Sequence, residues 1–154
     1  MKAEFIFQTM QRHRKNLVKI LENTPESTLG HIPEGFRNNI WWNISHILVV
    51  QQLLCYRLSG LPLNVSDALV EAYSKGTFPE DLPNPEQREE VARLLVDTVG
   101  RLEQDYNNGI FKDYTTYKTS AGFTLSSIDE ALQFNLYHEG LHLGTVLSLL
   151  KIVR

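Results

Sequence analysis

Tyr137-His138-Glu139-Gly140-Leu141-His142-Leu143-Gly144 lies inside an apolar-periodic run from about Ser127 to Val153. In an α-helix the two histidines, four residues apart, stand one above the other on one face. That face is the apolar one: Ile128, Ala131 and Leu132 share it one to two turns earlier, and Val146, Leu149, Leu150 and Val153 one to two turns later. Asn135 and Glu139 point into the same sector, so four polar side chains interrupt a greasy stripe. Such a break costs stability unless something satisfies it.

Working outward, the remaining chain supplies three more long helices. Residues 3–23 carry Ile6, Met10, His13, Leu17 and Ile20/Leu21 at three- and four-residue steps, with Arg12, Lys15, Lys19 and Glu22 elsewhere on the wheel. Residues 26–38, dense in helix breakers around Gly30-His31-Ile32-Pro33-Glu34-Gly35, read as a connecting loop. A second long helix runs from about Asn39 to Ser59 and stops at Gly60 and Pro62; it is apolar almost all round, which marks it as central. His46 is the titratable group in its middle and shares a face with Trp42, Val49, Val50 and Leu53.

Ser66 caps a short helix over about Asp67 to Lys75, closed by Gly76, and Thr77 to Pro83 form a loop. Asn84, Pro85 and Gln87 provide a cap, a preset first-turn residue and a capping-box partner for the third long helix, whose stripe is Val91, Leu94/Leu95, Thr98, Leu102 and Tyr106. Asn107-Asn108-Gly109 ends it. Residues 110–125 are aromatic and Thr-rich without helical period, which predicts a long ordered loop or short hairpin of the kind that borders binding sites. Ser127 with Glu130 caps the helix that carries the paired histidines. The expected fold is therefore all-α: one domain over residues 1–154, a four-helix bundle with a short extra helix and long connections.

Composition narrows the function. A chain of 154 residues with 42% hydrophobic content can bury a real core, and a net charge of −3 with 15 scattered Lys and Arg offers no field for a phosphate backbone. No nucleic-acid partner is expected. No apolar run reaches the ~20 residues that span a bilayer, and the first residues develop no signal-peptide core. With a single cysteine, Cys55, no internal disulfide can form. A cytoplasmic protein is expected. Cys55 itself reads as a small buried hydrophobe.

Taken one at a time, inward histidines are usually structural. Three together are another matter, because His138 and His142 can aim their nitrogens at one point and His46 can complete a triad from a second helix. Neutral imidazoles suit divalent zinc, nickel, copper or iron, zinc and nickel foremost, and three protein ligands leave a position open. Glu139 and Asn135 are the candidate catalytic residues, as ligand-orienting partners or with Glu139 as proton acceptor; the plainer reading pairs Glu139 with an arginine such as Arg57 and lets Asn135 bridge helices. His13 faces the same way as Met10 and reads as structural, His31 as a surface residue, and Trp42 as a core anchor or pocket wall. Gly140, Gly144 and Ser148 form a small-residue strip suited to close packing, inside the bundle ahead of across a homodimer.

His138-Glu139-Gly140-Leu141-His142 also satisfies the zincin pattern His-Glu-x-x-His, in which the glutamate is a general base. Only twelve residues follow His142, and none is His, Asp or Glu. The downstream third ligand is missing, so a peptidase is a minor alternative to a site that borrows His46.

Trp42-Asn43-Ile44-Ser45-His46-Ile47, the segment Tyr73 to Pro79, and Tyr137 to His142 resemble, in order and spacing, the DinB-like superfamily over nearly the whole chain. The resemblance implies a four-helix bundle whose metal is held by one histidine of the second helix and two of the last, matching His46, His138 and His142. Members include bacillithiol S-transferases, a mycothiol-dependent maleylpyruvate isomerase and proteins described as metal-dependent hydrolases. The expected function is a metalloenzyme whose ion activates a thiol, supplied from outside, or a water toward a small-molecule substrate. The competing class is a non-catalytic bundle that binds a small ligand or serves packing alone.

Overall fold

A helix that is apolar on every side has to be surrounded, and α3 (Ile40–Cys55) is: of its sixteen residues, fourteen are buried. The computed structural model describes residues 3–153. Around α3 stand α1 (Ala3–Asn23), α5 (Pro85–Asn107) and α6 (Ile128–Ile152). α6 lies along α3 and α1 along α5, with α1 also meeting α6 and α5 meeting α3, which closes a four-helix bundle. Leu17, Ile44, Ile47, Leu95 and Val146 fill one part of the core, and Phe7, Met10, Val99, Leu102 and Leu132 another.

The caps fall where the sequence puts them. Asn84 Oδ1 accepts from Gln87 N at 2.8 Å while Gln87 Oε1 accepts from Asn84 N at 3.0 Å, a complete capping box. Ser127 Oγ accepts from Glu130 N, whereas the Glu130 carboxylate reaches back to Ser126 N in place of the cap residue. Asn39 caps α3 through Trp42 N. The α-helix ends at Cys55, four residues short of the expected Ser59, and a single 3₁₀ turn over Arg57–Ser59 leads to Gly60 at φ 70°, a left-handed position that favours glycine.

The supposed loop at 26–38 opens with a short helix, α2 (Glu26–Gly30). Pro25 O accepts from both Thr28 N and Leu29 N, and Leu29 is fully buried in the core, so an anchor residue overrides the surrounding breakers. α4 (Asp67–Tyr73) is capped by Ser66 as expected and ends two residues early. Residues 110–125 contain an antiparallel hairpin, β1 (Tyr117–Lys118) with β2 (Thr124–Leu125). The segment leading into it is tied to the end of α3 and the 3₁₀ turn that follows, since Tyr114 OH donates to Leu54 O at 3.0 Å and Thr115 N to Leu58 O at 2.6 Å. Among the described residues, no helix is long and apolar enough to cross a membrane.

Candidate metal centre

α3 and α6 bring His46, His138 and His142 together. A nitrogen of each lies within 4.8 Å of a nitrogen of the others, and the ring centroids are 4.5–5.2 Å apart. Two ligands of one ion at ~2.1 Å can be no more than ~4.2 Å apart, so holding a cation requires the rings to draw in by on the order of an ångström.

Two of the three rings are oriented by the protein. His46 Nδ1–H donates to the Tyr73 carbonyl at 2.7 Å, at the end of α4. His142 Nδ1–H donates to Asn43 Oδ1 at 2.7 Å. The Asn43 amide is itself fixed, because its Nδ2 donates to Asn39 O and Asn38 Oδ1. Both rings therefore present Nε2 as an uncommitted lone pair, the outer-partner arrangement typical of metal-binding histidine. Trp42 stacks on His46 at 4.4 Å and 14° between planes, so it is at once a core residue and a wall of the site. His138 Nδ1 is buried without a hydrogen-bond partner among the described residues. An orphan of this kind costs ~1–3 kcal/mol, which bound cation or water on that ring would relieve.

The cluster stays neutral near pH 7. Burial and then the charge His46 would carry push His138 down to about 4. Burial, followed by His138 and His46, pushes His142 down to about 3. His46 is lowered as well, by burial working against its bond to the Tyr73 carbonyl. Protons therefore do not compete for the lone pairs at neutral pH. The donor set, three neutral imidazoles with two of them locked by outer partners, fits a divalent transition ion.

Glu139 and Asn135 belong to a different assembly. The Glu139 carboxylate accepts from Arg14 Nη2 at 2.7 Å, from Arg14 Nε at 3.1 and 3.2 Å, from His13 Nδ1 at 2.6 Å and from Asn135 Nδ2 at 2.8 Å. Arg14, with no exposed surface, also donates to Leu95 O and Ile47 O, so one guanidinium ties α1 to the other three long helices. Burial alone would raise the Glu139 pKa, but the charge of Arg14 and the bonds from His13 and Arg14 hold it at about 2. The expected pairing with Arg57 is thus replaced by one with Arg14, because residue 139 lies about 100° round the helix from 138 and looks toward α1. The four polar residues of α6 are two sets and not one. The peptidase alternative loses its base, since the carboxylate it needs beside the ion is consumed by Arg14 and His13.

Arg14 escaped the sequence reading although the signal was present: Met10, Arg14, Leu17 and Leu21 are one stripe, and Arg14 was the unaccounted charge on it. Asn43, three residues before His46, was equally within reach. His31 is exposed as expected, and Cys55 is fully buried, where loss of solvent raises its thiol pKa well above the usual range. The small-residue strip does not pack inside the bundle. Gly140, Gly144 and Ser148 are exposed, and a Cβ on either glycine would meet nothing within 4 Å.

A family model of the DinB superfamily matches residues 9–146, which include all three histidines. The chain belongs to the DinB superfamily. No curated protein matches it. Within this DinB-superfamily bundle, the three-histidine group could hold a metal ion.

Proposed function

We propose that this protein is a metal-dependent enzyme acting on a small molecule, with a divalent transition ion, zinc or nickel, held by His46, His138 and His142. The observation that carries the reading is the convergence of three neutral imidazoles whose outer nitrogens are committed, at His46 and His142, to Tyr73 O and Asn43 Oδ1. When bound, such an ion supplies Lewis acidity that lowers the pKa of a thiol or water, which suits S-transfer or hydrolysis at neutral pH.

The chain's own residues prepare the site. Tyr73 and Asn43 set the tautomers, and Trp42 braces His46 from one face and restricts water there. Arg14, Glu139, His13 and Asn135 anchor the α1 side of α6 directly beside the ligand pair, and so act as positioning residues. The nucleophile, if a thiol, comes from outside, because Cys55 is fully buried.

The test is a screen of zinc- and nickel-loaded protein with low-molecular-weight thiols and electrophiles, and with ester and amide substrates. Turnover that disappears in His46→Ala and His142→Ala supports the reading. Absence of turnover from fully loaded protein across both sets favours a non-catalytic bundle.

A further inference from the structure

Beside the imidazole cluster lies a cavity of about 270 Å³ between α3, the hairpin and α6. At one end its lining includes His46 and His138; its walls are apolar, built from Val50, Leu53, Leu54, Leu58 and Phe134. Two charged side chains line it, Arg57 and Lys75, and no carboxylate does. Neither cation forms an ion pair with any described residue. Lys75 follows two residues after Tyr73, whose carbonyl holds His46.

We propose that this cavity takes a small molecule with an apolar body and a carboxylate or similar anionic group, held between Arg57 and Lys75. The inference rests on the proposed function in one respect: the reacting end of that molecule is the one nearest His46 and His138. The volume lies just below the usual ~300–1,000 Å³ of small-molecule sites, which suits a compact ligand. An anion entering here meets two cations without first breaking an ion pair, whereas an ammonium group would be repelled by both. A neutral ligand gains only the apolar walls. The segment before the hairpin, tied to Leu54 and Leu58 through Tyr114 and Thr115, leads into the Tyr117 and Thr119 that complete the wall.

The experiment titrates metal-free protein with 3-phenylpropionate, 3-phenylpropionamide and 3-phenylpropylamine, following the methyl and aromatic resonances of Leu53, Leu54 and Phe134 by NMR. The acid is expected to shift those resonances and to bind about tenfold tighter than the amide, with no saturable binding of the amine. Arg57→Gln and Lys75→Gln should each weaken the acid about threefold to fivefold and leave the amide unchanged, as expected for exposed charge contacts. Equal affinity for acid and amide, absence of binding by all three, shifts that map to another surface, or indifference to both substitutions would overturn the proposal. A parallel zinc titration separates the two readings. Zinc binding without carboxylate preference overturns the ligand assignment alone, and carboxylate binding without zinc overturns the enzyme reading alone.

Discussion

His138 and Glu139 are consecutive on α6, both are largely withdrawn from water, and they are treated in opposite ways. Around Glu139 the charges are matched: the carboxylate accepts from Arg14, His13 and Asn135, and Arg14 spends its remaining donors on carbonyls of α3 and α5. What is left without a partner among the described residues is His13 Nε2 and Asn135 Oδ1. Around His138 nothing is matched, since its ring forms no hydrogen bond among the described residues and its two partners turn uncommitted nitrogens toward it. A polar group buried for stability is closed by the protein itself, whereas one buried for a ligand is oriented and then left open. One residue of helical rotation separates the two.

The contrast can be broken most sharply at Glu139. Glu139→Ala leaves Arg14 buried without a counter-charge and is expected to cost about 3–5 kcal/mol in urea unfolding, while Arg14→Met with Glu139→Leu together should cost far less or nothing. A double variant as unstable as the single one would mean that the network does more than match charge. At the other set, Asn43→Ala frees the His142 ring and should weaken zinc or nickel binding about 10- to 100-fold with the helical circular dichroism unchanged. Unaltered affinity would remove Asn43 from the site.

Acid should separate the two sets as well. Folded His138 and His142 titrate near 4 and 3, below the ~6.5 of an unfolded histidine, so between pH 6.5 and about 4 the unfolded chain binds more protons and stability falls as pH falls. Glu139, held at about 2, contributes stability above the carboxylate range and loses it only as pH drops from there toward 2. Metal-free wild type is therefore expected to weaken from pH 6.5 downward, and His138→Ala to do so with a shallower slope; equal slopes would contradict the burial argument. The smallest effect belongs to the outward side of α6. Gly144→Ala, where a Cβ meets open space, should stabilise the helix by about 0.5–1 kcal/mol. A loss of stability, or a change of oligomer size in solution, would instead place that strip in an interface.

Long periodic segments with clear caps were legible before any coordinates: all four long helices, α4, the hairpin region and the pairing of His46 with His138 and His142. Legibility failed where a short-range signal opposed a tertiary one. Gly30, Pro33 and Gly35 disguise α2, whose reason for existing is the burial of Leu29. Arg14 was hidden because a charged residue on a helix is ordinarily assigned to water, and only its place between Met10 and Leu17 betrays it. Periodicity also merges neighbouring directions, so it groups Asn135 and Glu139 with the histidines although they face α1. No spacing rule could give the Tyr73 carbonyl as an outer partner, since a backbone acceptor leaves no trace in residue type.

The proposed function stands on one cation shared by α3 and α6. Metal analysis of protein purified without an affinity tag and reconstituted with zinc or nickel tests it directly. The expected result is one ion per chain, lost in His46→Ala and in His142→Ala while both variants keep their helical content. A wild-type chain that binds no ion after reconstitution, or variants that retain it in full, would contradict the account.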